Sequence, residues 1–446
     1  MRVSGGESSA VERTEGGGLG FEDLHGSVFD PALTAMTFLN EVAGRYPDAV
    51  SFAAGRPTEQ GFDVAHIGRY VERFHRYLRT ERGLDEEAAR RVLLQYGRTK
   101  GVIHELIVRH LWSDEQILAD AESVVVTVGC QEAMFLVLRA LRSAPEDILM
   151  VVSPAYVGIT GAAAVLDMPI RPVGGGRSGV DFDDLHRQVA RARAEGLRPR
   201  ALYVVPDFAN PTGLTMDVAT RRRLLDVADE ADFLLIEDNP YGVFAGSGQS
   251  LPTLKALDER RRVVYLGSFA KTALPGARVG YAVADQRVSF GDREVLLADV
   301  LATVKSVVSV NTSPIAQAVV AGKLLESDFS LRRANAPQTA FYQNNMRLLC
   351  RGLDRRLGGS VGLEPRIRWN VPAGGFFVVV TVPFEVTDQL LEHSADRYGV
   401  LWTPMRHFYV GAGGDHEMRL SCSALAPADI EEGLDRLTAL INDQGR

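Results

Sequence analysis

Between about residues 123 and 284, short and wholly apolar runs alternate with longer stretches of helical periodicity. The apolar runs are rich in β-branched residues and predict strands at 123–128, 148–153, 201–206, 233–237, 263–267 and 279–284. The helical stretches between them include 131–142, 156–166 and 218–230. Strands that are apolar throughout and separated by helices are typical of a mostly parallel sheet covered on both faces. We therefore predict an α/β fold whose ligand site lies where the strands end.

The pattern changes after about residue 289, where helical periodicity dominates as far as about residue 357. Strand-like runs and helices then alternate at 376–382, 387–398, 418–423 and 427–441, which is typical of a smaller α+β domain. The first residues are rich in Gly, Ser and Glu and predict disorder. The predicted parts are a disordered tail at 1–20, an N-terminal segment at 21–60 that packs with the small domain, a large domain at 61–325 and the small C-terminal domain at 326–446.

The composition is that of an ordinary soluble protein, with 46% hydrophobic and 24% charged residues in 446. A net charge of −8 argues against binding to nucleic acid or to an anionic membrane surface. Three widely spaced cysteines without a CxxC pair indicate a reducing compartment. No apolar run reaches the ~18 residues of a spanning helix. We therefore expect a cytoplasmic protein without nucleic-acid or membrane partners.

Two motifs resemble ligand sites but lack the required context. Gly174–Gly179 matches GxGxxG, yet the next helix would begin only near Asp183, whereas a dinucleotide fingerprint needs a helix that opens at once. His104 and His110 lie six residues apart in a helical stretch without HExxH spacing. We predict neither a nicotinamide site nor a metal site.

Two strand ends combine features that suit a phosphate. The first predicted strand passes through a glycine directly into a helix, whose free N–H groups attract anions. The fifth predicted strand is followed by a hydroxyl and two cations, and the segment from Gly267 to Gly280 contains no acidic residue. The residues concerned are Gly129, Cys130 and Gln131 after the first strand, and Ser268, Lys271 and Arg278 after the fifth.

The remaining strand ends supply a ring, an amide and a carboxylate. Tyr156 fits either a core position or a stacking surface. Asn210 lies in an Asn-Pro-Thr-Gly sequence, which turn chemistry alone would explain, although its amide is free to reach a ligand oxygen. Asp238 ends a buried strand, where a carboxylate is costly without a partner, and Tyr241 follows it. We expect these side chains to meet at one edge of the sheet.

Lysine is scarce in this chain. Only five of its 49 basic residues are lysines, namely Lys100, Lys255, Lys271, Lys305 and Lys323. The sequence around Lys255 suggests a solvated stretch, and only Lys271 directly follows a buried strand. A buried lysine, a buried carboxylate and a phosphate cradle are what pyridoxal phosphate requires, since its aldehyde forms a Schiff base with lysine and its ring nitrogen needs a carboxylate.

The ordered set Asn210-Pro-x-Gly, Asp238-x-x-Tyr241 and Ser268-x-x-Lys271-x6-Arg278 resembles the fold-type I, class I/II aminotransferases. The resemblance extends from about Ser51 to the C-terminus. It implies a seven-stranded type of sheet, pyridoxal phosphate as cofactor, and transfer of an amino group between an amino acid and a 2-oxo acid. It also implies a homodimer with shared sites, because Tyr96 matches a tyrosine that such enzymes present to the phosphate of the neighbouring subunit.

The resemblance assigns a role to each matching residue. Lys271 would bind the cofactor aldehyde and move the substrate α-proton, while Asp238 would pair with the ring nitrogen. Around the cofactor, Asn210 and Tyr241 would bind the ring oxygen, Tyr156 would stack on the ring, and Gly129, Cys130, Gln131, Ser268, Arg278 and Tyr96 would hold the phosphate. Cys130 stands where small or hydroxyl residues are more usual, so its contact could come from the backbone alone.

The substrate side of the site rests on the same resemblance. Arg419, in a predicted strand, matches the arginine that binds the substrate α-carboxylate, and a guanidinium fork suits that task. Asn210 and Gly55 would flank the carboxylate. Arg56, in Gly55-Arg56-Pro57, either faces solvent or contacts the substrate side chain.

A narrower resemblance concerns the substrate. The segments 51–57, 94–101 and 129–134 are similar to hydroxyphenylglycine and dihydroxyphenylglycine aminotransferases of peptide-antibiotic pathways, and broadly to 2-aminoadipate and kynurenine aminotransferases. Two other readings remain. One is a different pyridoxal-phosphate reaction, such as elimination, cyclisation or oxidation of an amino acid. The other is the sensing domain of a transcription regulator, which the net charge does not favour.

Overall fold

The computed structural model describes residues 19–246, 248–358 and 367–445. The helices in these ranges are α1 (Pro31–Arg45), α2 (Val64–Thr80), α3 (Glu86–Leu94), α4 (His104–Glu115), α5 (Gly129–Leu141), α6 (Val157–Val165), α7 (Phe182–Ala194), α8 (Val218–Glu230), α9 (Leu254–Leu257), α10 (Leu297–Val308), α11 (Pro314–Glu326), α12 (Leu331–Ala334), α13 (Ala336–Leu357), α14 (Asp388–His393) and α15 (Pro427–Gln444). The strands are β1 (Val50–Ser51), β2 (Val124–Thr127), β3 (Asp147–Ser153), β4 (Ile170–Gly174), β5 (Arg198–Val204), β6 (Leu234–Asn239), β7 (Val263–Ser268), β8 (Gly280–Val283), β9 (Arg287–Phe290), β10 (Arg293–Leu296), β11 (Arg368–Trp369), β12 (Phe377–Thr381), β13 (Val400–Leu401), β14 (Thr403–Pro404) and β15 (Glu417–Ser421). None of these helices is long and apolar enough to cross a membrane.

Seven strands form the large sheet in the order β2-β8-β7-β6-β5-β3-β4. Strand β8 is antiparallel to both neighbours, and every other neighbouring pair is parallel. The predicted α/β fold with a mostly parallel sheet is therefore confirmed. Strand β4 was not among the predicted runs, because this edge strand includes an arginine and a proline and is mostly half-buried.

Both faces of the large sheet are covered. Along β5, Ala201 and Tyr203 pack in one cluster with residues of α5, α6 and α10, whereas Leu202 and Val204 pack in another with α7 and α8. Successive side chains of a strand point to opposite faces, so two buried faces require a strand that is apolar throughout. This explains the continuous apolar runs in the sequence.

A second, antiparallel sheet is formed in the order β11-β12-β15-β14 by the C-terminal part of the chain. Residues Phe52 and Ala53, which follow β1, are buried in the same cluster as Trp402 and Leu434, while α1 also contacts α6 of the large sheet. The division of the chain at residues 20, 60 and 325 stays a prediction, and residues 1–18 of the predicted tail lie outside the described ranges.

A buried ion pair anchors the loop that follows β5. Arg221 on α8 is fully buried and binds both carboxylate oxygens of Asp207, with Nη2 at 2.6 Å from Oδ1 and Nη1 at 3.1 Å from Oδ2. Its remaining donors reach the backbone carbonyls of Met216 and Pro252. Since Asp207 begins the loop that carries Asn210, the pair fixes the path of the chain into the ligand site.

Replacing Arg221 with leucine should lower the free energy of unfolding by about 3–5 kcal/mol, because Asp207 would remain buried without its cation. Urea denaturation measures the effect. The exposed neighbour Arg222 provides a matched control, since Arg222→Leu should change stability by at most about 0.5 kcal/mol. Equal losses of unfolding free energy in the two variants would contradict a stabilising role for the Arg221–Asp207 ion pair.

Candidate active site

Strands β5, β6 and β7 end at a pocket of about 530 Å³, a size that suits a small-molecule ligand. Because these strands are parallel, the polar residues that follow them lie at one edge of the sheet. The predicted site residues that line the pocket are Gly55, Arg56, Cys130, Gln131, Tyr156, Asn210, Asp238, Tyr241, Ser268, Lys271, Arg278 and Arg419. Gly129 lies beside the pocket, whereas Tyr96 lies elsewhere on this chain.

One end of the pocket suits a phosphate. Only Val128 separates β2 from Gly129, the first residue of α5. Gly129 has a φ of +74°, and a Cβ at this position would lie 2.9 Å from Nη2 of Arg278. The guanidinium therefore rests against the start of α5, where backbone N–H groups have no partner within the helix. Ser268, the last residue of β7, adds a hydroxyl to this group.

The side chains of Cys130 and Gln131 are already engaged. Cys130 Sγ donates to the carbonyl of Gly267 at 3.0 Å, and burial raises the pKa of the thiol well above its usual range. Gln131 Nε2 donates to the carbonyl of Gly158 at 2.7 Å. The group that Cys130 could offer to a phosphate is therefore its backbone N–H.

Asp238 supplies a buried carboxylate at the end of β6, with 4% of its surface exposed. Its Oδ2 accepts a hydrogen bond from Tyr203 Oη at 2.7 Å, whereas Oδ1 is buried and has no partner in the described part of the chain. Burial raises the pKa of Asp238 to about 6, although the Tyr203 hydrogen bond and the charge of Lys271 act in the opposite direction. Asp238 Oδ1 could therefore accept a hydrogen bond from a protonated ring nitrogen of a ligand.

Lys271 reaches the pocket three residues after β7. Its Nζ donates to the carbonyl of Gly55 at 2.9 Å. Removal from water, together with the positive charges of Arg278 and Arg419, lowers the pKa of Lys271 to about 8. A larger fraction of this amine is therefore neutral and nucleophilic near physiological pH than for an exposed lysine.

Asn210, Tyr241 and Tyr156 surround the middle of the pocket. Asn210 Oδ1 accepts from Arg419 Nη1 at 2.7 Å, which leaves the amide Nδ2 as the group that could reach a ligand oxygen. Burial raises the pKa of Tyr241 and raises that of Tyr156 to about 12, so both phenols stay protonated. Tyr156 lines the pocket and also packs against the core, so its position is compatible with either alternative.

Arg419 is a buried cation on β15, with 5% of its surface exposed. Besides Asn210, it donates from Nη2 to the carbonyl of Ala53 at 2.7 Å and to Thr403 Oγ1 at 3.2 Å. Its Cζ lies 4.6 Å and 4.8 Å from the ring centroids of Phe377 and Phe408. Burial lowers the pKa of Arg419 to about 10, and no carboxylate of the described residues forms an ion pair with it. Such a group can bind an anionic ligand strongly.

The N-terminal segment lines the side of the pocket next to Arg419. The ring of Phe377 lies 2.7 Å from where a Cβ of Gly55 would stand, so a larger residue would require the ring to move. Arg56 is exposed at the pocket, and its carbonyl accepts from Ser423 Oγ. The position of Arg56 is compatible with either alternative, solvent or a substrate side chain.

Together these groups fit pyridoxal phosphate. The unpartnered Asp238 Oδ1 matches a protonated ring nitrogen, the Lys271 amine matches the aldehyde, and the start of α5 with Arg278 matches the phosphate. The cofactor expected from the sequence is thus consistent with the chemistry of the donor set.

The other four lysines do not line this pocket. Lys100 pairs with Asp299, Lys255 with Asp285 and Lys305 with Glu132, while Lys323 lies over the ring of Phe62. The expectation that Lys255 is solvated was wrong, because only 6% of its surface is exposed and its amine pairs with Asp258 and Asp285. Elimination by sequence context nevertheless identified the pocket lysine.

The glycine motif at 174–179 and the histidines at 104 and 110, which the sequence did not support as ligand sites, lie outside the pocket. Gly174 ends β4, and the glycines after it lie in the loop before α7, so no helix opens on them. His110 is buried and contacts the carbonyl of Phe329, and no group of His, Cys, Asp or Glu in the described ranges could hold a metal ion. Tyr96 is 84% exposed and lies outside the pocket of this chain.

Sequence reasoning missed two residues that contact the predicted ones. Tyr203 binds Asp238 from the neighbouring strand, and Phe408 lines the pocket against Arg419. A phenol in the apolar, buried half of β5 (residues 201–204) was a signal for Tyr203, since a buried hydroxyl needs a partner. No comparable signal marked Phe408, which ends a short 3₁₀ helix (Met405–Phe408) between β14 and β15.

Comparison with known proteins identifies the family. The family model described as aminotransferase class I and II matches residues 76–437. The chain is 55% identical to the (S)-3,5-dihydroxyphenylglycine transaminase of Amycolatopsis orientalis, over 95% of this chain and 94% of the relative. It is 30% identical to aromatic-amino-acid aminotransferase 1 of Thermococcus litoralis, over 89% of each chain. It matches the crystal structure of Pyrococcus horikoshii kynurenine aminotransferase in complex with PMP with a TM-score of 0.77 at 27% identity, over 91% of this chain and 94% of the other. The chain therefore belongs to the class I and II aminotransferases.

Proposed function

We propose that this aminotransferase interconverts 3,5-dihydroxyphenylglycine and 3,5-dihydroxyphenylglyoxylate, with a second amino acid and oxo acid as the exchange partners. The observation that carries this proposal is the 55% identity, over nearly the whole chain, to a transaminase named for that amino acid. The similarity to an aromatic-amino-acid aminotransferase supports the aromatic class more broadly. We further propose a role in antibiotic biosynthesis, where the aryl-glycine transaminases that the sequence resembles act, and a cytoplasmic location, with which the three free cysteines agree.

The enzyme uses pyridoxal phosphate, which supplies an aldehyde for the amino group and a ring that accepts electrons from the substrate α-carbon. We assign the phosphate to Gly129, Cys130, Gln131, Ser268 and Arg278 around the start of α5. Asp238 would keep the ring nitrogen protonated by accepting a hydrogen bond at Oδ1. This requires the carboxyl group of Asp238 to be ionised. Asn210 and Tyr241 would bind the ring hydroxyl oxygen, and Tyr156 would cover the ring.

Arg419 and Lys271 are held by neighbouring carbonyls of one segment, because Ala53 O binds Arg419 and Gly55 O binds Lys271. A substrate whose α-carboxylate is bound by Arg419 would therefore have its α-carbon near the Lys271 amine. We propose that Lys271, with its pKa lowered to about 8, takes the proton from that carbon and returns it. Asn210 and Gly55 would flank the same carboxylate.

The side chain of the substrate would meet an apolar wall. Val157 and Phe408 line the pocket, and both are buried in one cluster with Met405. An aryl ring suits such a wall because it buries apolar surface there. We assign Arg56, the charged residue at the pocket mouth, to contact with the ring hydroxyls.

We also propose a homodimer with shared sites. The segment that carries Tyr96 passes close to the end of α10, since a Cβ at Gly97 would lie 3.8 Å from Asn311 Nδ2. Exposed apolar residues occur in both segments, with exposures of 84% for Tyr96, 62% for Leu94, 86% for Val307 and 52% for Val310. Large exposed apolar side chains of this kind are typical of contact surfaces. A second copy would cover them and bring Tyr96 to the phosphate site of its neighbour.

Replacing Lys271 with alanine should abolish covalent attachment of the cofactor, because no other lysine lines the pocket. Borohydride reduction of the wild-type holoenzyme, followed by peptide mass analysis, should find the label on Lys271 alone, and the variant should carry none. Label on any of the four buried lysines would overturn the assignment.

The substrate proposal predicts amine transfer to 3,5-dihydroxyphenylglyoxylate or its 4-hydroxy analogue. Chromatography should detect the aryl glycine, together with the 2-oxo acid of the donor and pyridoxamine phosphate in the half-reaction. Turnover of an aliphatic oxo acid with neither aryl substrate would indicate a generic aminotransferase. A product formed without the aminated cofactor would instead indicate elimination, cyclisation or oxidation.

Val307→Glu should weaken the dimer, since two-fold symmetry would bury two carboxylates in one interface. Light scattering across a dilution series should then show monomers where the wild type is dimeric. Val371→Glu is the control, because Val371 is also exposed, at 72%, but lies between β11 and β12 of the four-stranded sheet. Equal dissociation in both variants, or none in Val307→Glu, would contradict the proposed interface.

A further inference from the structure

We propose that Tyr203 is a positioning residue, whose hydroxyl holds one oxygen of Asp238 so that the other is presented to the ring nitrogen of pyridoxal phosphate. The inference rests on the role proposed above for Asp238. It concerns a residue outside the lining of the pocket, on the strand next to the one that ends in the carboxylate.

The register of the sheet brings the two side chains together. Tyr203 on β5 lies opposite Ile236 on β6. Asp238 is two residues further along β6 and therefore points to the same face of the sheet. The result is a hydrogen bond of 2.7 Å from Tyr203 Oη to Asp238 Oδ2, between side chains of residues that are 1% and 4% exposed.

The hydrogen bond has a fixed direction. Burial and the nearby carboxylate raise the pKa of Tyr203 well above its usual range, so the phenol keeps its proton and donates it. Oδ2 is thereby occupied, and Oδ1, which has no partner in the described residues, is the oxygen left for a second donor. Without the phenol, a nitrogen–hydrogen donor in the pocket would meet a carboxylate free to turn either oxygen towards it.

The same contact favours the ionised carboxylate. Burial raises the pKa of Asp238 to about 6, and the hydrogen bond from Tyr203 opposes that rise. The other titratable groups that face Asp238 are Lys271, which also lowers its pKa, and the protonated side chains of Cys130, Tyr156 and Tyr241. Because the ionised form is lost as the pH falls through the pKa, removing the phenol should move that loss to higher pH.

Tyr203→Phe removes only the hydroxyl and tests the inference directly. Titration of the apoenzyme with pyridoxal phosphate should give a Kd raised roughly tenfold, since a buried acceptor loses a charge-assisted hydrogen bond. The pH below which cofactor binding weakens should also be higher in the variant than in the wild type. Inorganic phosphate, measured by its competition with pyridoxal phosphate, should bind as it does to the wild type, because the phosphate end of the site is untouched.

Tyr265→Phe is the matched control. Tyr265 lies on β7, on the other side of β6, is 2% exposed, and accepts a hydrogen bond from Asn239, the residue next to Asp238. A general effect of losing a buried phenol would appear equally in both variants. The inference requires that Tyr265→Phe leave the Kd for pyridoxal phosphate and its pH dependence unchanged.

Asp238→Asn separates the inference from the assignment on which it rests. If Asp238→Asn weakens cofactor binding and Tyr203→Phe does not, Tyr203 is not a positioning residue, and the role of Asp238 stands. If Asp238→Asn itself leaves the Kd unchanged, the assignment of the carboxylate to the ring nitrogen fails. Weaker binding of inorganic phosphate to Tyr203→Phe would also overturn the inference, because the damage would then reach the whole pocket.

Discussion

A cation and a carboxylate, Arg419 and Asp238, are buried in the lining of one pocket, each without an ion-pair partner of its own among the described residues. Burying a lone charge costs several kcal/mol, so each must be stabilised by hydrogen bonds or by a ligand. The chain supplies part of this through Asn210, Ala53 and Thr403 for the guanidinium and through Tyr203 for the carboxylate. What remains matches the substrate carboxylate and the protonated ring nitrogen of the cofactor.

The same constraint explains why the pocket lies between the two sheets. Asp238 and Lys271 come from strand ends of the large sheet, Arg419 from the middle of β15, and Ala53 from the segment after β1. The guanidinium of Arg419 is held by partners on three further segments, namely Asn210 after β5, Ala53 after β1 and Thr403 on β14. The site therefore forms only when parts of the chain that are hundreds of residues apart have packed together.

Sequence reasoning succeeded where chemistry was attached to an element with a clear pattern. Asp238, Lys271 and Asn210 could be found because they end or follow apolar strands, and parallel strands end at one edge. Arg419 needed the family resemblance, since one arginine among many carries no signal of its own. Tyr203 was missed because its role depends on the pairing register between β5 and β6, which no local pattern determines.

Lys255 shows the opposite failure. Its charged neighbours in the sequence suggested solvent, whereas the side chain is buried and pairs with one of them, Asp258, and with Asp285 from another segment. Tyr96 marks a different limit, because its proposed partner belongs to another copy of the chain. Local sequence thus identifies reactive or ligand-binding residues more readily than it identifies which residues are buried or which lie at an interface with another chain.

The burial of the lysines has a consequence for how the protein meets its cofactor. Lys100, Lys255, Lys305 and Lys323 are at most 9% exposed, so the cationic side chains at the surface are arginines, whose guanidinium does not form a Schiff base as a lysine amine does. Pyridoxal phosphate condenses with accessible lysine amines, and among the five lysines of this chain the one that lines the pocket at the sheet edge is Lys271. The scarcity of lysine and the burial of the other four thus leave few lysine side chains to which the cofactor could attach outside its site.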